Sequence, residues 1–550
     1  MAKSLSGLDA SFLYLETPEQ PMHVASLCVY EVPPKLKHNF DAEVVAHLKK
    51  RLHLAPIFTN VLAHQKYGLG HPHWEHVDEV DFNYHVQHIA IPKPGTMRQL
   101  EVAVAKEHAR LLDRSQPLWQ FTIFSGLKTG EIGFYGKVHH AALDGKGGIV
   151  LANSILDLTA TPREVPPAVA RAVPPKTSMK IGEMIGAAFS NSLAQYAKIA
   201  RSIPSVANVV AQAVSPMLKK AMSNRKLPFN FAPRTPFNVN ISAKRNFSTA
   251  TLSFAETRTA AKVLGGSVND GVLFVCASAL RTYLKSHNAL PKKSLVAAMP
   301  VSLREESNKE LNNQASMVLA ELGTNHGDAA KRWTAILAST NKIKESLKSL
   351  KSVLPTDYPG LLAPLVVSRL NAAVASTKLM ERMPPVANVV VSNVPGPQVP
   401  LYLAGAQMKT FFPVSIITHG LGLNITVQTY CGRIDFGIIA CKEAVPDLHD
   451  FATAIAGGFD ELVALAEAKV ALEKELGEVL EIALNAPLPA AKTSSKPKPK
   501  AKPAAKVAAK AVPKATVKAA IKRKPVATTA RKPAGKPASK KPSAKKSRGV

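Results

Sequence analysis

The amino-acid sequence predicts an α/β protein with two units, residues 1–160 and 241–487, a connector over 161–240 and a disordered basic tail over 488–550. Three observations carry that expectation. Short β-branched and aromatic runs alternate with longer helix-patterned segments in both parts of the chain. A proline- and alanine-rich stretch, Pro162 to Pro175, interrupts the pattern in the middle. From Leu488 onward the residues are mostly Ala, Lys and Pro with no aromatic, so too little apolar surface is present to offset the entropy of ordering. At 550 residues and 46% apolar, the chain can hold two or three domains with substantial cores.

In the first unit, the segment from Val80 to Ile89 largely alternates as a strand does. Ile132-Gly133-Phe134-Tyr135-Gly136-Lys137-Val138 is short, aromatic and β-branched, another strand. Ile149 to Leu158 follows as a helix. Between Met179 and Met222 lie weakly amphipathic stretches with Lys198, Arg201, Lys219 and Lys220 nearby. They fit either connector helices packed on both units or a surface that dips into a lipid boundary. The second unit opens near Ile241 with a strand from Phe247 to Phe254 and a helix from Glu256 to Leu264. An apolar helix covers Val272 to Leu280, and a strand from Ser294 to Met299 runs into Pro300. Leu421 to Tyr430 and Arg433 to Ile439 form a hairpin around Cys431-Gly432. A long helix with Leu472, Leu476, Leu480 and Leu484 at four-residue intervals ends before Pro487, and its leucine stripe is expected to pack on the second unit.

Four cysteines, Cys28, Cys276, Cys431 and Cys441, show neither Cys-x-x-Cys spacing nor a disulfide framework, which suits a reducing cytoplasm. The start has no long apolar run of the secretory type, and no uncharged apolar run reaches the ~18 residues that a membrane span needs. The expectation is a cytoplasmic protein that meets membranes or lipid inclusions peripherally.

The most informative segment is Val138-His139-His140-Ala141-Ala142-Leu143-Asp144-Gly145, which places two histidines where a strand meets a loop. Neighbouring residues on a strand point to opposite faces, so one imidazole faces a given cleft and the other braces it. An imidazole with an unperturbed pKa of ~6.5 can take a proton from an alcohol that attacks a carbonyl and return it to the leaving group. Asp144 would hold the loop by a local hydrogen bond or pair with a distant arginine, Arg304 being one candidate. In any protein, Asp144-Gly145 also supplies turn and helix-start chemistry. No Gly-x-Ser-x-Gly elbow, His-Glu-x-x-His helix, Walker loop or Gly-x-Gly-x-x-Gly fingerprint is present. A metal on His139, His140 and Asp144 is disfavoured, because adjacent strand histidines diverge while tetrahedral zinc needs converging ligands. His71, His73 and His76 with Asp78 read as ordinary polar groups of a loop and strand face.

Beyond the histidine pair, the chain from about residue 4 to 485 carries Leu5-Ser6-Gly7-Leu8-Asp9-Ala10-Ser11-Phe12, Pro21-Met22-His23-Val24 and Leu112-Asp113-Arg114. It continues with Pro117-Leu118-Trp119, Ser267-Val268-Asn269-Asp270-Gly271, Pro300-Val301-Ser302-Leu303-Arg304 and Val391-Ser392-Asn393-Val394-Pro395-Gly396-Pro397. In these motifs and their order it resembles the bacterial wax ester synthase/acyl-CoA:diacylglycerol acyltransferase family, within the CoA-dependent acyltransferases. The resemblance implies two chloramphenicol-acetyltransferase-like domains with the site between them. It implies His140 as general base, with His139 and Asp144 shaping the site. Gly145, Asn269, Asp270, Pro117, Leu118, Trp119, Asn393, Pro395 and Gly396 are carried over as residues of the substrate site. Locally, Asn393 to Pro397 also reads as a rigid turn and Asn269-Asp270-Gly271 as a helix start.

The activity so implied is transfer of a fatty acyl group from acyl-CoA, a substrate rather than a cofactor, to diacylglycerol or a long-chain alcohol. Triacylglycerol or wax ester would be the product. The alternatives are another hydroxyl or amine acceptor, or a non-catalytic organiser of lipid inclusions. Oligomeric state is not legible. The net charge is +31, and residues from Lys492 onward hold twenty of the 70 Lys and Arg with no acid, leaving +11 on the rest. Such a tail suits nucleic-acid phosphates or anionic lipid head groups, or simply solvation.

Overall fold

Two six-stranded sheets organise the chain, and neither is built from one continuous stretch of sequence. The computed structural model describes residues 5–63, 72–143, 147–168, 231–302, 315–350 and 383–485. Its strands are β1 (His23–Glu31), β2 (Asn60–Leu62), β3 (Trp74–His76), β4 (Val86–Ala90), β5 (Trp119–Ser125), β6 (Ile132–His139) and β7 (Arg245–Ser253). They continue as β8 (Val296–Ser302), β9 (Ala315–Glu321), β10 (Val389–Val394), β11 (Tyr402–Leu403), β12 (Ala406–Val414), β13 (Leu423–Tyr430) and β14 (Arg433–Cys441). The helices are α1 (Gly7–Leu15), α2 (Phe40–Lys49), α3 (Phe82–His85), α4 (Met97–Ala109) and α5 (Gly147–Ile155). After them come α6 (Phe254–Val263), α7 (Val268–Ser286), α8 (Ala329–Leu350) and α9 (Leu448–Asn485).

The first sheet runs β11-β12-β1-β6-β5-β4 and the second β7-β14-β13-β10-β8-β9. β11 and β12, although they fall between strands of the second sheet in sequence, therefore join the first, and β12 pairs antiparallel with β1 from Ala25 opposite Val414 to Glu31 opposite Gln407. β2 and β3 form a small separate ladder. The β13–β14 hairpin turns through Cys431 and Gly432 at φ +44° and +78°, the two positive values that a tight two-residue turn requires. Asp81 interrupts the expected strand from Val80 to Ile89. Its Oδ1 accepts from the Asn83 amide 2.9 Å away, capping the single turn α3 before β4 begins.

One apolar cluster runs through both halves, joining Leu100, Val104, Phe124 and Tyr135 to Phe247, Val272, Phe274, Ile425 and Phe436. Within it, α4 docks on β7 through Glu101. This buried carboxylate accepts from the Thr249 amide and hydroxyl, each at 2.7 Å, and from Ser248 Oγ at 3.3 Å. Burial nonetheless holds the Glu101 pKa above the usual carboxylate range.

α9 departs from expectation. Its first half buries Leu448, Phe451, Ile455 and Leu462, but Leu472, Leu476 and Leu480 are 65%, 57% and 54% exposed. The expected packing of this stripe on the second unit is not found, because a 38-residue helix, about 57 Å long at 1.5 Å per residue, outruns the surface beneath it. The connector at 169–230 and the tail from 486 lie outside the described residues. Among the described residues no single helix is long and apolar enough to cross a membrane.

Removing the acceptor on α4 should loosen the join between the sheets. Glu101→Ala leaves the Thr249 amide without its partner and is expected to lower stability by about 1–3 kcal/mol. An unchanged urea midpoint would contradict this role for Glu101.

Candidate active site

β6 lies between β1 and β5, so its end is fixed from both sides. The His139 amide donates to the Leu118 carbonyl at 3.0 Å, and the His140 amide to the Met22 carbonyl at 2.8 Å. There the strand stops and His140–Ala142 form one 3₁₀ turn. This change of backbone direction sends the two imidazoles into different surroundings.

The His139 side chain is fully buried. Its Nδ1 accepts from the Ala141 amide at 3.1 Å, which assigns the ring proton to Nε2, 3.3 Å from Glu16 Oε1. Glu16 Oε2 receives Arg114 Nη2 at 2.9 Å and Nε at 3.2 Å, and the Met22 amide donates to Oε1 at 3.2 Å. Burial alone would raise the Glu16 pKa, but His139 and Arg114 together outweigh it and hold the carboxyl down at about 2. It is thus ionised throughout the physiological range.

His140 is half-buried and stacks on Phe12, ring centroids 3.9 Å apart and planes inclined by 16°. Its Nδ1 is enclosed without a geometric hydrogen bond, which leaves Nε2 as the nitrogen that can face a reactant. Burial depresses its pKa to about 4, against a smaller opposing effect of its own backbone carbonyl. The ring is therefore neutral at pH 7, as a proton acceptor must be.

A second buried layer supports this corner. His23, opposite His139 in the β1–β6 register, donates from Nε2 to the His108 carbonyl at 2.7 Å. His108 meets Tyr135 Oη at 2.8 Å and the Ser415 carbonyl at 3.1 Å. Lys137 Nζ caps the end of α4 by donating to the Glu107 and Arg110 carbonyls at 3.0 and 2.9 Å, and burial lowers its pKa to about 8. The second half also grips the segment after Glu16. Arg245 donates to the Glu19 carbonyl, and the His419 amide donates to Gln20 Oε1 at 3.1 Å.

The structure brings some of the sequence-selected residues to the histidines and leaves others elsewhere. Leu118 packs with Leu5, Leu13, Leu112 and Ala141 beneath the turn, and Pro117 is buried just before it. Trp119 belongs to a separate core cluster. It stacks on His85 at 4.0 Å and donates from Nε1 to the Phe58 carbonyl at 3.2 Å. Asp270 closes a capping box with Ser267 at the start of α7, its Oδ2 2.8 Å from the Ser267 amide, and Asn269 sits half-buried one position earlier. Asn393 is the next-to-last residue of β10, opposite Val427. Pro395 is exposed and the Gly396 amide donates to Thr429 Oγ1 at 2.9 Å, where a Cβ would run into the Thr429 carbonyl. Among the described residues no hydrogen bond joins these α7 and β10 positions to the histidine turn. Asp144, Gly145 and Arg304 lie outside the described residues. Of the second histidine cluster, His73 and His76 pair with Glu75 and Asp78 at 3.6 and 3.7 Å on the surface. A cavity of about 440 Å³ between β4 and α4, lined by Ile89, Ile91, Pro92 and Val102, includes neither His139 nor His140.

Sequence reasoning missed Glu16 and Phe12. Glu16 is one acid in an ordinary Leu15-Glu16-Thr17-Pro18 stretch, 123 positions before His139, and only the fold brings it to Arg114. Phe12 closes the Leu5 to Phe12 motif, where nothing local marks it as the partner of a histidine 128 positions on.

A neutral imidazole at a strand end, backed by a second one set on a buried carboxylate, is an arrangement that can take a proton from an attacking hydroxyl, the chemistry an acyltransferase needs. The wax ester synthase/diacylglycerol acyltransferase catalytic domain matches residues 5–272, and the WS/DGAT C-terminal domain residues 311–463. The chain is 31% identical over 476 residues to the Acinetobacter baylyi O-acyltransferase WSD, covering 86% of this chain and 99% of that one. It is 33% identical over 449 residues to a Mycobacterium tuberculosis protein named as a diacylglycerol O-acyltransferase, covering 80% and 94%. A solved wax ester synthase/diacylglycerol acyltransferase from Marinobacter aquaeolei superposes with a TM-score of 0.60 at 29% identity, covering 84% of this chain and all of that one. The chain belongs to the wax ester synthase/diacylglycerol acyltransferase family and is an O-acyltransferase.

Glu16 predicts a pH dependence of stability. Its folded pKa lies below the ordinary 4.5, so its contribution is present above about 4.5 and is lost as pH falls through about 2. Glu16→Gln should lower stability at neutral pH and flatten its dependence between these values, measured by urea unfolding at several pH values. An equally steep dependence in the variant would exclude Glu16 as its source.

Proposed function

We propose that the enzyme transfers a fatty acyl group from acyl-CoA to diacylglycerol or a long-chain alcohol, with His140 as the general base. The observation that carries this reading is the division between the two rings: His139 is locked on an ionised carboxylate, while His140 is neutral and half-buried. His140 Nε2 takes the hydroxyl proton as the acceptor oxygen attacks the thioester carbonyl. When the tetrahedral intermediate collapses, the carbon–sulfur bond breaks and the same proton goes to the CoA sulfur. No acyl-enzyme is required. Burial raises the Cys28 and Cys276 thiols to about 12, so both stay protonated and unsuited to attack. Long alkyl chains supply binding energy, at ~0.8 kcal/mol per buried CH₂.

The family names of the relatives support these acceptors, and the reading places the protein in the cytoplasm at the edge of membranes or lipid inclusions. Its basic tail would hold phosphate-rich polyanions, nucleic acid or anionic lipid, by charge alone.

Purified protein given labelled acyl-CoA and either acceptor should form the corresponding neutral lipid. His140→Ala should lose ~10²- to 10⁴-fold in rate while keeping its circular dichroism. kcat/KM should fall as pH drops through about 4, where the free ring becomes protonated. Full activity in a folded His140→Ala protein refutes the base assignment. A chain ending at residue 487 should retain turnover and lose salt-sensitive retention on a polyanion column; loss of turnover with the tail would show that the tail serves catalysis instead.

A further inference from the structure

We propose that Phe12 is a positioning residue for the transfer reaction, its flat ring holding the His140 imidazole in the orientation that aims Nε2 at the acceptor hydroxyl. The proposal rests on the reading of His140 as the base and adds what directs that base.

The basic nitrogen of an imidazole carries its lone pair in the plane of the ring, so rotation about χ2 decides where the proton is taken from. For histidine that torsion is broad and roughly two-fold, and by itself it selects no single direction. A catalytic imidazole is ordinarily held by a third group, hydrogen-bonded to its other nitrogen. His139 is set in that manner, by the Ala141 amide on Nδ1 and Glu16 at Nε2. His140 is not: its Nδ1 is buried, and among the described residues no group forms a geometric hydrogen bond with it. What lies against the ring is Phe12, with centroids 3.9 Å apart and planes inclined by 16°. Carbon atoms already meet at about 3.5–4.0 Å, so an imidazole turning about χ2 would drive its edge into the phenyl face. The stack does the work that a hydrogen bond does for its neighbour.

A wall of this kind must itself be fixed, and α1 is held along its whole length. At its start Ser6 Oγ accepts from the Asp9 amide at 3.1 Å, and just before it the Leu5 amide donates to the Pro72 carbonyl at 2.9 Å. In its middle Ala10 and Leu13 are buried with Leu112, Leu118 and Ala141, the last of these in the same 3₁₀ turn as His140. At its end Arg114 Nη2 donates to the Leu13 carbonyl at 2.7 Å and to Glu16 Oε2 at 2.9 Å. One guanidinium thus ties the carboxylate that sets His139 to the helix that sets His140. A side chain that merely filled space would be exchangeable for another apolar one, whereas only a flat ring matches the face of an imidazole.

The test is steady-state kinetics of full-length Phe12→Leu, Phe12→Met and Phe12→Tyr beside His140→Ala, with palmitoyl-CoA and hexadecanol, folding being checked by circular dichroism and urea midpoint. Phe12→Leu and Phe12→Met keep an apolar side chain without a flat face, and each should lower kcat by roughly 10- to 10²-fold with both KM values unchanged, as for a reacting group moved out of line. Phe12→Tyr restores the face and should recover the native kcat. Leu and Met also uncover one side of the imidazole, so the acid limb of kcat/KM should move up from about 4 toward the ordinary 6.5, burial being the main cause of the depression. A simple loss of folded enzyme scales the rate equally at every pH and leaves that limb in place. The other ionisable groups of this corner, Asp9 and Tyr14 of α1, Glu16 at its end, Arg114, and Lys137 and His139 of β6, are the same in all these variants.

A folded Phe12→Leu protein with native kcat and a native acid limb, alongside an inactive His140→Ala, overturns this proposal and leaves the base assignment standing. So does a Phe12→Tyr protein as slow as Phe12→Leu, or a Phe12→Leu defect carried by KM alone, which would make Phe12 part of a substrate wall. Full activity in a folded His140→Ala protein overturns the base assignment and this proposal with it.

Discussion

The ionised carboxylate of Glu16 is the fixed point of the site. Two imidazoles in consecutive positions point into different surroundings, and the charge of His139 adds to burial in disfavouring protonation of His140. The carboxylate holds His139 through Nε2, while the Ala141 amide holds Nδ1 of the same ring. Both His139 nitrogens thus face fixed groups, and the ring braces the corner. Arg114 balances the carboxylate, so the charge is buried as a pair rather than alone. What remains free is His140, oriented by the flat face of Phe12.

Both histidines come from the first half of the chain, yet the second half sets their positions. β12 crosses into the first sheet beside β1, and β1 is the strand against which β6 ends. Ser415, immediately after β12, accepts from His108, while Arg245 and His419 hold the chain between Glu16 and Met22. Glu101 joins α4 to β7 on another side. The histidine corner thus depends on contacts between segments hundreds of residues apart, which links its geometry to correct assembly of the two halves.

That dependence explains what the sequence showed and what it concealed. The β6 strand, the turn after it and the β13–β14 hairpin were legible because local pattern and turn chemistry decide them, as with Cys431-Gly432. The histidine pair and its place at a strand end were legible because the motif is contiguous. Glu16 was not, since a carboxylate becomes a partner of His139 only through the long-range pairing of β1 and β6. Trp119 looked like part of a substrate wall, but its place is a fully buried stack on His85, which no local pattern announces. The stripe on α9 was correctly seen as a stripe. Periodicity reports that a helix has an apolar face and does not report how far the supporting surface extends.

In the role proposed for His140, a base whose pKa is near 4 is weak in the resting enzyme, and this weakness would have a use. Desolvation disfavours the imidazolium in the free site, so the ring stays unprotonated across the pH range of a cell. On that reading, negative charge would develop on the thioester oxygen as the acceptor oxygen attacks, and an opposite charge near the ring favours the protonated form. The ring's proton affinity therefore rises along the reaction coordinate. The interaction is strongest where the charge is greatest, in the transition state, which is the condition for raising the rate rather than merely binding substrate. The same burial that weakens His140 at rest strengthens its electrostatic response to that charge, because few water dipoles remain to screen it.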